Sequence, residues 1–125
     1  MTYAPFDLTG KVALVTGGNR GIGLGMASAM AASNADIAIW GRKDAANAAA
    51  VEELSKLGTG NVKAWSVDVA DEQAVIEATA DTVSSMGRID SCFANAGIGL
   101  GAPSFSEMTT EIWRKNMAVN MEGAF

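Results

Sequence analysis

Residues 16–23 read TGGNRGIG, four glycines in eight residues with an arginine among them. The stretch follows a compact apolar run, VALVT (Val12–Thr16), and leads into an Ala-rich segment in which Ile22, Met26, Ala29 and Met30 recur near helical spacing. Glycine is a poor helix former and costly to order, so its crowding at a strand-to-helix junction calls for a reason. At a helix start the first N–H groups have no partner in the chain, and the macrodipole is positive there. An anion gains roughly 0.3–2 kcal/mol from the dipole, plus hydrogen bonds to those amides. A diphosphate reaches them only where side chains are missing. Gly17 suits a positive φ in the turn, Gly21 lacks a Cβ where phosphate oxygens would approach, and Gly23 would let the helix pack closely on the strand. Asn19 and Arg20 sit inside the same loop. The competing explanation is a plain tight turn, since Gly-x-x-x-Gly-x-Gly departs from the usual Gly-x-Gly-x-x-Gly spacing. Its place between a first strand and a first helix favours phosphate binding.

Such a loop works only if elements hold it, and the rest of the chain supplies them. IAIW (Ile37–Trp40) reads as a second strand, VKAWSV (Val62–Val67) as a third and DSCFAN (Asp90–Asn95) as a fourth. Helices fall between them. The first runs from Arg20 to Ser33, with Asn34 as a left-handed stop. The second is capped by Asp44 and runs to about Leu57, with Val51, Leu54 and Leu57 on one face and Gly58 as the stop. The third is capped by Asp71, carries Val75, Ala78, Thr79, Thr82 and Val83 at helical spacing, and ends at Gly87. After a Gly-rich loop through Gly101, a last helix starts at Thr109. Strands alternating with helices make β-α-β units with parallel strands and right-handed crossovers. The near-continuous apolar strands predict a sheet covered on both faces.

Composition narrows the possibilities. The 125 residues suit one domain, and a 49% hydrophobic content is enough for a core. A formal charge of −5 with no basic stripe argues against nucleic acid as a partner. There is no histidine, which removes His-based triads and His-ligated metals, and the lone Cys92 removes an internal disulfide and any Cys-cluster metal site. A single thiol without a framework fits a reducing cytoplasm. The N-terminal MTYAPFDLTGK has no basic segment leading into an apolar run, so the expectation is that it is no secretory leader, and no apolar run approaches a membrane span.

TGGNRGIG resembles the Thr-Gly-x-x-x-Gly-x-Gly motif of the short-chain dehydrogenase/reductase family. Three more segments match in order: SVDVAD resembles the Asp-Val after the family's third strand, FANAG its Asn-Asn-Ala-Gly with Ala94 in place of the first asparagine, and AVNMEGAF its Val-Asn-x-x-Gly on the fifth helix. The resemblance implies a Rossmann-like, doubly wound α/β sheet of strand order 3-2-1-4 between helix layers, with residues 1–125 forming a nicotinamide-dinucleotide-binding domain. It implies that Gly17, Gly21, Ile22 and Gly23 line the pyrophosphate and nicotinamide side of the cofactor, with Asn19 and Arg20 beside them. Asp68 would accept from the adenine amino group, with the Val69 backbone alongside. Asn95, Ala96 and Gly97 would form the turn under the ribose and brace the glycine loop. Asn120 would belong to the family's catalytic Asn-Ser-Tyr-Lys set and orient a water in its proton relay. The residue types alone leave open a turn acid for Asp68, a satisfied strand end for Asn95 and a solvent-facing residue for Asn120.

A dinucleotide-binding second strand often ends in an acid that holds the adenosine ribose. Aligned by the resemblance, Gly41 occupies that place and Arg42 follows, so no carboxylate repels a 2′-phosphate and Arg42 could pair with it. Arg20 and Lys43 are further candidates, although all three also read as solvated surface charge. The expectation is NADP, with NAD as the alternative. The implied activity is hydride transfer between the nicotinamide and a carbonyl or secondary alcohol, in a homodimer or homotetramer. Met117, Met121 and Phe125 form a stripe that is more often core than interface.

One part of the family pattern does not occur. Tyr3 is the sole tyrosine, and there is no Tyr-x-x-x-Lys. Family members run to about twice this length, so the expectation is an N-terminal half, truncated before the catalytic Ser/Tyr-x-x-x-Lys segment, that binds cofactor without turnover. A non-catalytic dinucleotide-binding module and a regulatory or structural subunit are the alternatives. The loop Gly97–Met108 is expected to border the substrate.

Overall fold

Four parallel strands form one sheet in the order β3-β2-β1-β4: β1 (Val12–Thr16), β2 (Asp36–Gly41), β3 (Val62–Ser66) and β4 (Ser91–Phe93). This computed structural model describes residues 3–125; Met1 and Thr2, which open the segment read as no secretory leader, lie outside the described residues. Ala13 is registered against Ile37 on one side and Ser91 on the other. The order is the one expected from the sequence.

Alternation along β1 and β2 decides where the helices go. Ala13, Val15, Ile37 and Ile39 share one face, where they pack with Ala27 and Ala31 of α1 (Gly21–Ala32) and Leu54 of α2 (Asp44–Leu54). Leu14, Ala38 and Trp40 share the other, against Ala78 of α3 (Glu72–Met86). Ile37 and Ile39 are fully buried, and each such side chain contributes about 1.5–3 kcal/mol. The buried Trp40 keeps its polar edge satisfied, donating from Nε1 to Thr82 Oγ1 at 3.1 Å. A fourth helix, α4 (Thr110–Met117), continues into a π turn, Ala118–Glu122. No helix among the described residues is long and apolar enough to cross a membrane.

The helix ends expected from the sequence are largely present. Asn34 takes φ 70 after α1 and Gly87 φ 85 after α3. Asp71 Oδ1 accepts from Ala74 N–H at 3.1 Å, and Thr109 Oγ1 from Ile112 N–H at 3.1 Å.

Several boundaries differ. Asp44 is not the cap of α2 but its first helical residue; Lys43 holds the capping position, and the Asp44 charge complements the positive helix end. That helix stops at Leu54, the last apolar side chain the sheet buries, and Leu57 is left exposed in a tight turn. The fourth strand is only three residues long. Asp90 still meets β1, donating its N–H to Val12 O at 2.9 Å, but its carboxylate takes Val12 N–H at 2.8 Å in place of a backbone carbonyl, and Asn95 N–H goes to the Thr16 hydroxyl at 3.0 Å rather than to a carbonyl of β1. The two inner strands are covered on both faces, whereas β3 and β4 are partly exposed edges. Asn120 lies in the π turn that follows the fourth helix of the chain, not on a fifth.

Candidate functional site

At the C-terminal ends of the strands the chain opens into a cleft of ≈ 390 Å³. The loop after β1 forms its floor. Gly17 adopts φ 64 and Gly21 φ 56, left-handed conformations that L side chains rarely take. A Cβ at Gly17 would lie 3.0 Å from Ala96 Cα, whereas one at Gly21 would meet nothing within 4 Å. Gly17 is therefore required by packing, and Gly21 leaves the cleft wall bare. The first helical bond of α1 runs from Leu24 N–H to Arg20 O, so the amides of residues 21–23 have no acceptor within the helix. Gly23 does not line the cleft. A Cβ there would collide with the Gly17 carbonyl and come within 2.6 Å of Asn95 Nδ2. The close approach expected at Gly23 is thus to the loop and Asn95 rather than to the strand.

Two strand ends are knotted together beneath the loop. Thr16 Oγ1 accepts from both Asn95 N–H and Ala96 N–H at 3.0 Å. Asn95 Nδ2 in turn donates to Thr16 O at 3.1 Å and Gly17 O at 3.3 Å. Below them, hydrogen bonding from Val12 N–H holds the Asp90 carboxyl below the usual carboxylate range; burial opposes this, and the Arg88 guanidinium assists it.

Eleven of the thirteen residues singled out from the sequence line this one cleft: Gly17, Asn19, Arg20, Gly21, Ile22, Arg42, Asp68, Val69, Asn95, Ala96 and Gly97. Lys43 lines it too. Arg20 and Arg42 are both exposed at its rim. Asp68 also closes a turn, since Oδ1 accepts from Ala70 N–H at 2.9 Å.

Asn120 stands apart from the cleft lining, although Val119 and Ile98 belong to it. Its Oδ1 accepts from Ile98 N–H at 2.8 Å and its Nδ2 donates to Ile98 O at 2.9 Å. Asn116 makes the same pair of bonds with Leu100, at 3.0 and 2.9 Å. Two asparagines one helical turn apart thus hold alternate residues of the loop after β4, as a neighbouring strand would.

Three polar residues here escaped the sequence reading. Thr16 was visible as the first letter of the glycine motif but was read only as a strand end. Asn116 precedes Asn120 by one helical turn, a spacing that carried the signal. Asn47, buried on α2, had no sequence signal at all: its partners are Asn19, Gly41 O and Trp65 O, on the glycine loop and the ends of two strands.

Comparison with known proteins agrees with this geometry. Residues 11–125 match the family model described as short chain dehydrogenase. A sorbose reductase of Schizosaccharomyces pombe is 38% identical over 122 residues, covering 96% of this chain and 48% of the relative. An NADP-dependent (R)-specific alcohol dehydrogenase of Lentilactobacillus kefiri is 35% identical, over 94% of this chain and 46% of its own length. The chain thus spans about half the length of the curated relatives it matches. Among solved structures, NAD+-bound xylitol dehydrogenase superposes with a TM-score of 0.90 at 29% identity, over 94% of this chain and 45% of that one. The fold is accordingly the Rossmann-like doubly wound sheet. With the family model matched over residues 11–125, and the glycine loop lining a cleft braced by the Thr16–Asn95 knot, the chain belongs to the short-chain dehydrogenase family.

Proposed function

We propose that residues 1–125 are the dinucleotide-binding part of an oxidoreductase that prefers NADP(H) and acts on a small carbonyl compound or secondary alcohol. The carrying observation is the make-up of the cleft's rim: Arg20, Arg42 and Lys43 line it, and the last residue of β2, Gly41, has no carboxylate. The bare wall at Gly21 beside the open amides of α1 fits a diphosphate, because a Cβ there would occupy the space such a group needs. Arg42 and Arg20 would pair with a 2′-phosphate, and Asp68 and Val69 would face the adenine. When bound, such a coenzyme would supply or accept the hydride. Asn95 keeps Gly17 and Ala96 in register, and Asn120 fixes Ile98 at the mouth. Proton transfer is assigned to no residue here, as no Tyr-x-x-x-Lys occurs in the sequence.

The relatives' printed names leave the coenzyme open, one being NADP-dependent and one neighbour NAD+-bound. The names sorbose reductase and xylitol dehydrogenase make ketoses and sugar alcohols the first compounds to screen. The coenzyme is tested by titrating the protein separately with NADPH and NADH while following tryptophan emission, to which the cleft-lining Trp40 contributes. NADPH should bind at least about tenfold more tightly, the scale of one charge-assisted hydrogen bond. Arg42→Ala should erase most of that margin while leaving NADH within about twofold. Equal affinities in the unaltered protein would remove the NADP assignment; no saturable signal with either coenzyme would remove the whole reading.

A further inference from the structure

Gly41 ends β2 in a space that is already full. A Cβ there would collide with Asn19 Nδ2 and Asn47 Oδ1 and lie 2.9 Å from Asn19 Cγ. Those two side chains are bonded to each other, Asn19 Nδ2 donating to Asn47 Oδ1 at 2.9 Å. Asn47 itself cannot step aside. It is 4% exposed, and its Nδ2 donates to Gly41 O at 2.9 Å and Trp65 O at 3.2 Å. Turning the amide over would set its oxygen against two carbonyl oxygens. A buried helix position facing a sheet ordinarily takes an apolar residue, because a polar one costs free energy unless fully bonded. Asn47 is fully bonded, and its bonds converge on the glycine loop and the ends of two strands.

We infer that Asn47, acting through Asn19, is a specificity-determining positioning residue: the amide pair fills the room that an acidic side chain at position 41 would need. Rejection of a ribose-binding carboxylate is then a property of three residues from the glycine loop, β2 and α2, not of Gly41 alone. The direction of the resulting preference rests on the NADP(H) reading above; the steric claim does not.

The test compares NADH and NADPH affinities, with melting temperatures in parallel, for the unaltered protein, Gly41→Asp, and Gly41→Asp combined with Asn19→Ser and Asn47→Ser. Gly41→Asp alone should weaken both coenzymes by roughly tenfold or more, since the new side chain must displace the amide pair. In the triple variant NADH affinity should recover by roughly tenfold over Gly41→Asp alone, with NADPH still weak. A merely structural role for Asn47 would lower the melting temperature further and recover nothing. If the triple variant does not melt cooperatively, Gly41→Asp with Asn47→Ala, which removes the Oδ1 that the new Cβ would meet and frees the Asn19 amide to turn into the cleft, takes its place with the same expected recovery. Failure of NADH binding to recover, or Gly41→Asp alone binding NADH as tightly as the combined variant, overturns the inference. A preference of the unaltered protein for NADH overturns the coenzyme reading instead, and the comparison of NADH affinities among variants still decides the steric claim.

Discussion

Thr16 is the smallest part with the largest reach. Its hydroxyl serves two amides from the turn after β4, and its own carbonyl takes a bond from Asn95. Thr16→Val keeps the shape and deletes the acceptor, leaving Ala96 N–H without it. It should destabilise the protein by about 1–3 kcal/mol in urea unfolding, with Thr16→Ser within about 1 kcal/mol of the parent. A valine variant as stable as the parent would show that the hydroxyl's two bonds contribute nothing. At this scale the sequence was legible where residue type dictates conformation. Gly17 takes the positive φ expected of it from the loop alone; Gly21, singled out for its missing Cβ, takes one as well. Asn47 could not be read in this way, because an asparagine on an Ala-rich helix says nothing about which carbonyls it will meet across the sheet.

Among the elements, α4 and its π turn show how a helix can organise a loop. Asn116 and Asn120 each make a two-bond pairing with one loop residue, Leu100 and Ile98 respectively. Asn116→Ala should release the Leu100 amide. Hydrogen exchange there should speed up by roughly tenfold or more, while the Ile98 amide, held by Asn120, stays protected. Equal acceleration at both positions would mean that the helix, not the individual side chains, sets the loop. Strand and helix identities were readable because β-branched runs alternate with capped, Ala-rich segments. The ends were less so. The fourth strand looked like six residues, but at its ends side chains take the place of backbone acceptors, the Asp90 carboxylate for Val12 N–H and the Thr16 hydroxyl for Asn95 N–H. The second helix looked longer than it is because Leu57 keeps the spacing without finding a core.

Across the whole molecule, the β1–β4 junction ties the sheet to acid stability. Asp90 has its carboxyl held below the ordinary range by Val12 N–H and, more weakly, Arg88. A group depressed in the folded state stabilises it fully above the unfolded value, about 3.9 for aspartate, and loses that contribution as pH falls through the folded value. The melting temperature of the parent should therefore drop more steeply below about pH 4 than that of Asp90→Asn, which keeps an oxygen for Val12 but does not titrate. Parallel curves would mean that the carboxylate's charge contributes nothing at this seam. Fold topology was the most readable level of all: the alternation of strands and helices gave parallel β-α-β units with right-handed crossovers, and the resemblance of four motifs to one family gave the strand order. Exposure on the faces of β3 and β4 was not readable, because an apolar run looks the same whether or not a helix covers it.

The Thr16–Asn95 knot also orders assembly. Its partners lie 79 and 80 positions apart in the chain, so it cannot form until the last strand arrives. Docking β4 on β1 closes a loop roughly three times as long as pairing β1 with β2, at an added chain entropy of about 1 kcal/mol. The first crossover can therefore assemble early, glycines and all, yet its mouth gains its final shape only at the end of folding. Capacity to hold a ligand would then mark a finished molecule, and a half-folded one would have the motif without the receptacle.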